Sequence, residues 1–264
     1  MKKIIILLVI TIAFLACNQN QSTDEEQFNS FADSGNSEKT MPEKVYFPSL
    51  DSLKITANLY HLNDSAPVIV LCHQARFNKF EYDGIALKLL GMGYNCLAVD
   101  QRSGGPISSQ KNETYLEALK KGKSTDYIDA EQDIIASVNY VSKKYSQPVI
   151  LWGSSYSSTL ALYIGLENEI VKAVIAFSPG NYLSEAKGSL IDKMKDFKKP
   201  FFVTSSKPEA AEVKELLSKV TLSDKQVRFV PESNGNHGSR ALWESQEGAE
   251  EYWKALLTFL SKLK

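Results

Sequence analysis

Short, continuous apolar runs alternate along this chain with segments whose apolar residues recur at helical spacing. Val68-Ile-Val-Leu-Cys72 reads as a strand, and Tyr82, Ile85, Ala86, Leu89 and Leu90 then repeat as one face of a helix that Gly91 to Gly93 stops. Tyr94 to Val99 is the next strand, and Ile128, Ile134, Ile135, Val138 and Val141 mark the next helix. Val149 to Trp152, Val171 to Phe177, Phe201 to Thr204 and Gln226 to Val230 are further strands. A last helix carries Ala249, Tyr252, Trp253, Leu256, Leu257 and Leu260 on one stripe. Upstream, Val45 to Tyr60 reads as two strands joined by a Ser/Asp turn. Apolar strands that alternate with helices predict an α/β fold, a mostly parallel sheet with helices on both faces. Ligands of such sheets bind beyond the carboxyl ends of the strands. His73-Gln74, Asp100-Gln-Arg102, the loop after Trp152, Ser178-Pro-Gly180 and Ser206-Lys-Pro-Glu209 are expected to converge there.

The amino-terminal residues change the picture. Lys2-Lys3 precedes an apolar run from Ile4 to Leu15 that is too short to span a bilayer, which takes about 20 apolar residues. The order is that of a secretory signal. Phe14-Leu-Ala-Cys17 resembles the cleavage box of bacterial lipoproteins, with Phe where Leu is usual at the third position before the cysteine. The resemblance implies a signal peptide over residues 1–16, lipidation of Cys17 and anchoring at an envelope membrane, facing the periplasm or the cell surface. An ordinary signal with an incidental cysteine is the plainer alternative. Residues 17–44 hold Cys17 and a polar stretch poor in aliphatics, expected to be a flexible tether. Residues 45–264 have the length of one domain with a full core and no large cap.

The 30 basic and 31 acidic residues give a net charge of −1 and are interspersed, so no basic stripe points to nucleic acid. Cys72 and Cys96 lie in apolar runs and are expected to be buried thiols. No His-Glu-x-x-His, paired-cysteine or phosphate-cradling glycine motif occurs, and only three histidines are present, so neither metal nor cofactor is expected.

The chemistry concentrates in Gly153-Ser154-Ser155-Tyr156-Ser157. An apolar strand precedes it and Thr159-Leu-Ala-Leu-Tyr-Ile follows as a helix, so a serine stands at the apex of a sharp strand-to-helix turn. Such a turn needs small residues two positions to either side, and Gly153 and Ser157 supply them around Ser155. Ser154 is the rival nucleophile, but it would put Trp152 at a small-residue position. A serine-rich helix cap is the bland alternative. A serine needs a base. His61 has no motif around it, whereas His237 sits in the glycine-flanked loop Ser233-Asn-Gly-Asn-His-Gly238 after the last strand.

Strand order, the turn at Ser155 and the succession Ser, acid, His make the chain similar to the α/β-hydrolase superfamily, nearest its small, capless, dienelactone-hydrolase-like members. Those often carry a cysteine where Ser155 stands. The resemblance implies His237 as base and Glu209, the carboxylate after the next-to-last strand, as the acid that orients it, in Ser206-Lys-Pro-Glu209 where an Asp turn is more usual. It implies oxyanion donors at the Tyr156 amide and in the loop after Cys72, where Gln74 is the first choice and Ala75 the second. His73 and the Asp100-Gln-Arg102 turn are expected to be structural. Residues 105–128, with Tyr115, Leu116 and Leu119, are a candidate flap, and Arg76 is a candidate for a substrate carboxylate. The expected activity is hydrolysis of a small carboxylic ester through an acyl-enzyme. Amide or peptide cleavage by the same triad, or a non-catalytic binding lipoprotein, are the alternatives.

Overall fold

The structure is a computed structural model that describes residues 41–107 and 109–263. The signal segment, Cys17 and most of the tether lie outside the described residues. Among the described residues, strands β1 (Glu43–Pro48), β2 (Lys54–Tyr60), β3 (Val68–Cys72), β4 (Asn95–Val99), β5 (Val149–Ser154), β6 (Val171–Phe177), β7 (Phe201–Thr204) and β8 (Gln226–Phe229) form one sheet. The order is β1-β2-β4-β3-β5-β6-β7-β8. The β1–β2 and β2–β4 pairs are antiparallel and the rest are parallel. This is the α/β-hydrolase fold. Its central strands read as near-continuous apolar runs because both faces are covered. In β5, Val149 and Leu151 face helices α3 (Ala130–Tyr145) and α4 (Tyr156–Glu167), while Ile150 and Trp152 face α1 (Asp83–Gly91) and α8 (Ala249–Ser261). Each such fully buried large apolar side chain contributes about 1.5–3 kcal/mol. Trp152 stacks on Phe177 with centroids 5.3 Å apart and meets Tyr82 edge-on. Cys72 and Cys96 are free and buried, as their apolar settings predict.

Two features differ from the sequence reading. The first strand starts at Glu43, two residues ahead of the expected domain start. Part of the candidate flap is instead a helix on the sheet's β2 side: residues Glu113–Lys120 form α2, in contact with β2, while Tyr127 near the end of the segment packs against Tyr156 with centroids 4.6 Å apart. The Thr114 hydroxyl accepts the Thr56 amide at 2.9 Å, and Asp100 accepts the Glu113 amide at 2.9 Å. Those bonds hold the α2 start down at the strand. Short helices Ser184–Lys187 (α5), Leu190–Met194 (α6) and Ala210–Leu216 (α7) complete the chain.

Two ionic clusters fix the loop after β4. Lys79 and Asp100 pair at 2.9 Å with both side chains fully buried. Arg102 forks between Asp133, at 2.7 Å, and Asp51, at 2.9 Å. Asp133 also accepts the Ser49 hydroxyl and the Arg102 amide. The Arg102 guanidinium holds the Asp51 carboxyl well below the usual carboxylate range. The Asp100-Gln-Arg102 turn thus joins the β1–β2 turn, α3 and the 3₁₀ turn Lys79–Tyr82, the structural part expected of it.

Candidate active site

The turn after β5 is built around backbone contact. Ser155 has φ 58° and ψ −126°, a region that costs an L-residue about 1–3 kcal/mol. Its amide donates to the Phe177 carbonyl at 2.8 Å, and its carbonyl accepts the Ser158 amide at 2.9 Å. Gly153 is required, because a Cβ there would overlap the Ser157 carbonyl and the Ser158 backbone. Gly153→Ala is therefore expected to displace the start of α4, lowering folded yield and thermal midpoint. Circular dichroism of the purified variant checks this, and an unchanged midpoint would contradict it. Ser157, where the usual motif has glycine, has its hydroxyl in use. Its Oγ accepts the Ser154 amide at 2.9 Å and reaches the Cys72 carbonyl at 2.7 Å, stitching the turn to β3.

Around this turn the structure brings together the residues singled out in the sequence. The Ser155 Oγ lies 2.8 Å from His237 Nε2. His237 Nδ1 bonds Glu209 Oε1. The other Glu209 oxygen accepts the Ser178 hydroxyl at 2.9 Å, the Ser206 hydroxyl at 2.8 Å and the Ser206 amide at 3.1 Å. With Glu209 holding the Nδ1 proton, Nε2 is left to accept the Ser155 proton. Burial alone would raise the Glu209 carboxyl, but His237 and the Ser206 and Ser178 hydroxyls outweigh it and hold the group at about 2. Ser178, at φ 54°, also accepts the Gly238 amide at 3.0 Å, so one hydroxyl fastens both the acid and the histidine loop. The sequence placed the Ser178-Pro-Gly180 loop at the site but gave Ser178 no role. Its only signal was its place at the end of β6 in a Ser-Pro-Gly turn.

The rival serine faces inward. Ser154 is fully buried, donates to Glu81 Oε1 at 2.7 Å and accepts the Ser239 amide at 2.8 Å. The Tyr156 amide stands at the first position of α4, next to Ser155. The Gln74 expectation needs correction, because its amide donates to the buried Glu81 Oε2 at 2.8 Å and is committed away from an oxyanion. The Phe77 amide closes a turn onto the Gln74 carbonyl at 3.2 Å, with Arg76 at φ 63°. This is the φ of the third residue of a type II turn, whose own bond uses the fourth amide and not that of Ala75. Arg76 is exposed on this turn.

His73 is structural, as expected. Fully buried, it places Nδ1 2.8 Å from the Gln74 carbonyl, and its Nε2 accepts the Gln101 amide at 3.0 Å. Burial lowers its pKa to about 4. His61 stacks on Tyr145, in keeping with a packing role.

The buried titratable groups predict how stability follows pH. His73, lowered from 6.5 to about 4, contributes stability that is lost as pH falls through that window. Burial pushes Glu81 up from 4.5 to about 7, against the Gln74 amide and the Ser154 hydroxyl. Its native state holds a proton that the unfolded chain releases, so its contribution runs the other way. The two oppose each other between pH 4.5 and 6.5. Below that, Glu209 and His73 both lose their contributions as pH falls. Denaturant midpoints of the wild type are thus expected to stay level from pH 6.5 to 4.5 and then drop. Those of Glu81→Gln should fall across the whole range. Identical profiles for the two proteins would contradict this assignment.

Comparison with known proteins fits this picture. A model of the Dienelactone hydrolase family matches residues 55–263. Among solved structures, the Pyrococcus furiosus esterase Pf2001 is similar at a TM-score of 0.67 and 20% identity, over 86% of this chain and 96% of that one. The Pyrococcus horikoshii acylaminoacyl peptidase is similar at a TM-score of 0.60 and 16% identity, over 83% of this chain and 41% of that one. At these identities the likeness is one of fold. No curated protein matches the chain.

Proposed function

From its place in the Dienelactone hydrolase family, to which this chain belongs, we propose that it is a serine hydrolase cleaving a small carboxylic ester through an acyl-enzyme on Ser155. The observation that carries this is the unbroken chain of hydrogen bonds from the Ser155 Oγ through both nitrogens of His237 to Glu209. In this reading His237 Nε2 takes the Ser155 proton as Oγ bonds the ester carbonyl carbon. The Tyr156 and Ala75 amides receive the developing oxyanion. The alcohol leaves with the proton returned from His237, and water, activated in the same way, releases the acid. Glu209 keeps the imidazole in one tautomer and offsets its charge when protonated.

Two departures from the usual motifs motivate the binding-protein alternative, and the structure accommodates both. Ser157 has room and partners at its glycine position, and the Ser-Lys-Pro-Glu turn delivers a carboxylate to His237. Pre-steady-state kinetics with p-nitrophenyl esters of graded acyl length test the reading. A burst of p-nitrophenol equal to the enzyme concentration, with faster turnover on esters than on the matching anilides, is expected. A folded protein with no turnover of any ester would overturn it.

The same proposal includes export and anchoring by lipid on Cys17, supported by Lys2-Lys3, the apolar run and the Leu15-Ala16-Cys17 end. Radiolabelled palmitate should enter the wild type and not Cys17→Ser in a bacterial host.

A further inference from the structure

We propose that Glu81 is a positioning residue for this reaction: its carboxylate turns the Gln74 amide inward, so that the Ala75 amide is the one presented beside Ser155. The inference rests on the acyl-transfer reading and adds to it a residue outside the triad.

Glu81 is 1% exposed and is bonded to Ser154, the residue before the proposed nucleophile. Its two oxygens receive the Gln74 amide at 2.8 Å, the Gln74 side-chain amide at 3.4 Å and the Ser154 hydroxyl at 2.7 Å. Ser154 in turn accepts the Ser239 amide, two residues past His237. One carboxylate therefore ties together the loop after β3, the residue before the nucleophile and the loop that carries the base. Ser239 is held through its hydroxyl as well, which accepts the Trp152 indole at 2.9 Å. Glu81 is itself held by its backbone. Its carbonyl accepts the Trp243 indole at 2.9 Å, and the neighbouring Lys79 is locked to Asp100.

A carboxylate suits this place for a chemical reason. The donors arrive from two directions, so both oxygens must accept. A glutamine would satisfy the Gln74 amide with its oxygen but aim an NH₂ group at Ser154, which already accepts from Ser239. An apolar residue would leave the Gln74 amide buried without a partner, and the turn could rotate to find one. Gln74 to Phe77 is a single tight turn, so rotation at its first amide swings the second. The oxyanion forms only in the transition state, so misplacing its donor affects the chemical step far more than ground-state binding.

The test uses the purified full chain at pH 8.5, with Glu81→Ala, Glu81→Gln and Ser154→Ala beside the wild type. Two quantities are read: kcat and KM on a p-nitrophenyl ester, and the inhibition constant of an alkyl trifluoromethyl ketone, whose adduct with a serine is an oxyanion. Glu81→Ala is expected to lose about 10²-fold in kcat with KM within a few-fold, and to weaken the ketone by a similar factor. Glu81→Gln, which keeps the acceptor for Gln74, should recover much of that loss, and Ser154→Ala should lose less than Glu81→Ala. A folded Glu81→Ala variant with kcat near wild type overturns the proposal. So does a Glu81→Gln variant whose kcat falls while its ketone affinity does not. Should Glu81→Ala fail to fold, this Glu81→Gln comparison decides. Wild-type turnover in the same assay checks the hydrolase reading: an inactive wild type defeats that reading and this proposal together, whereas failure at Glu81 alone defeats only this one.

Discussion

Ser155→Ala is expected to lower kcat on an activated ester by about 10⁵–10⁶-fold while leaving the thermal midpoint within a few degrees of wild type. The size follows from what the residue does in the proposed reaction. Without the Oγ no acyl-enzyme forms, and the residual rate comes only from binding and the oxyanion donors, which can still assist attack by water. The small effect on stability follows from the geometry. Alanine and serine meet the same penalty at φ 58°, and the backbone bonds to Phe177 and Ser158 are unchanged. His237→Ala should fall nearly as far. The double variant should be little worse than either single one, because the two act as a unit. Progress curves for the three proteins at equal concentration check this, and additive losses would contradict the proposed coupling.

The second large effect concerns stability and arises well away from Ser155. Arg102→Met is expected to destabilise the fold by about 3–5 kcal/mol, because it leaves Asp133 fully buried without its counter-charge. Asp51, partly exposed and also bonded to Lys123, can fall back on water and that lysine. Asp133 has no such recourse, and its remaining donors are the Ser49 hydroxyl and the backbone amide of residue 102. Adding Asp133→Asn should recover part of the loss, since the amide oxygen still accepts and the charge is gone. Urea denaturation of the single and double variants measures both numbers. A double variant less stable than Arg102→Met would show that the charge at position 133 is not the cause.

The parts of the molecule legible in the sequence are those that periodicity and chain order encode. The short, largely apolar runs of β3 to β6 read as strands covered on both faces, and Gly91, Gly93 and Pro148 marked element boundaries. Ser155 was legible from its strand-turn-helix setting, whereas Glu209 and His237 were legible only as what the family resemblance implies, each following a strand at the carboxyl end of the sheet. The substituted positions were harder to read. Whether serine fits at 157 depends on a hydroxyl finding Cys72 and Ser154 across the turn, which no spacing rule states. The direction of a single amide was not legible at all. By sequence Gln74 comes first and Ala75 second, and the buried Glu81, seven residues on, is what reverses that order. The segment that holds helix α2 reads as a candidate flap for a related reason. Tyr115, Leu116 and Leu119 look like a loose apolar edge, while the contacts that fix the helix, through Thr114 and Glu113, are made by its polar residues.

The proposed reaction stands or falls with Ser155 as a nucleophile activated by His237. Intact-protein and peptide mass spectrometry after treatment with a fluorophosphonate tests it most directly. One adduct per chain is expected, on the peptide that contains Ser155, absent from Ser155→Ala and nearly absent from His237→Ala. A folded wild type that stays unmodified, or one modified at Ser154 or any other serine, would contradict it.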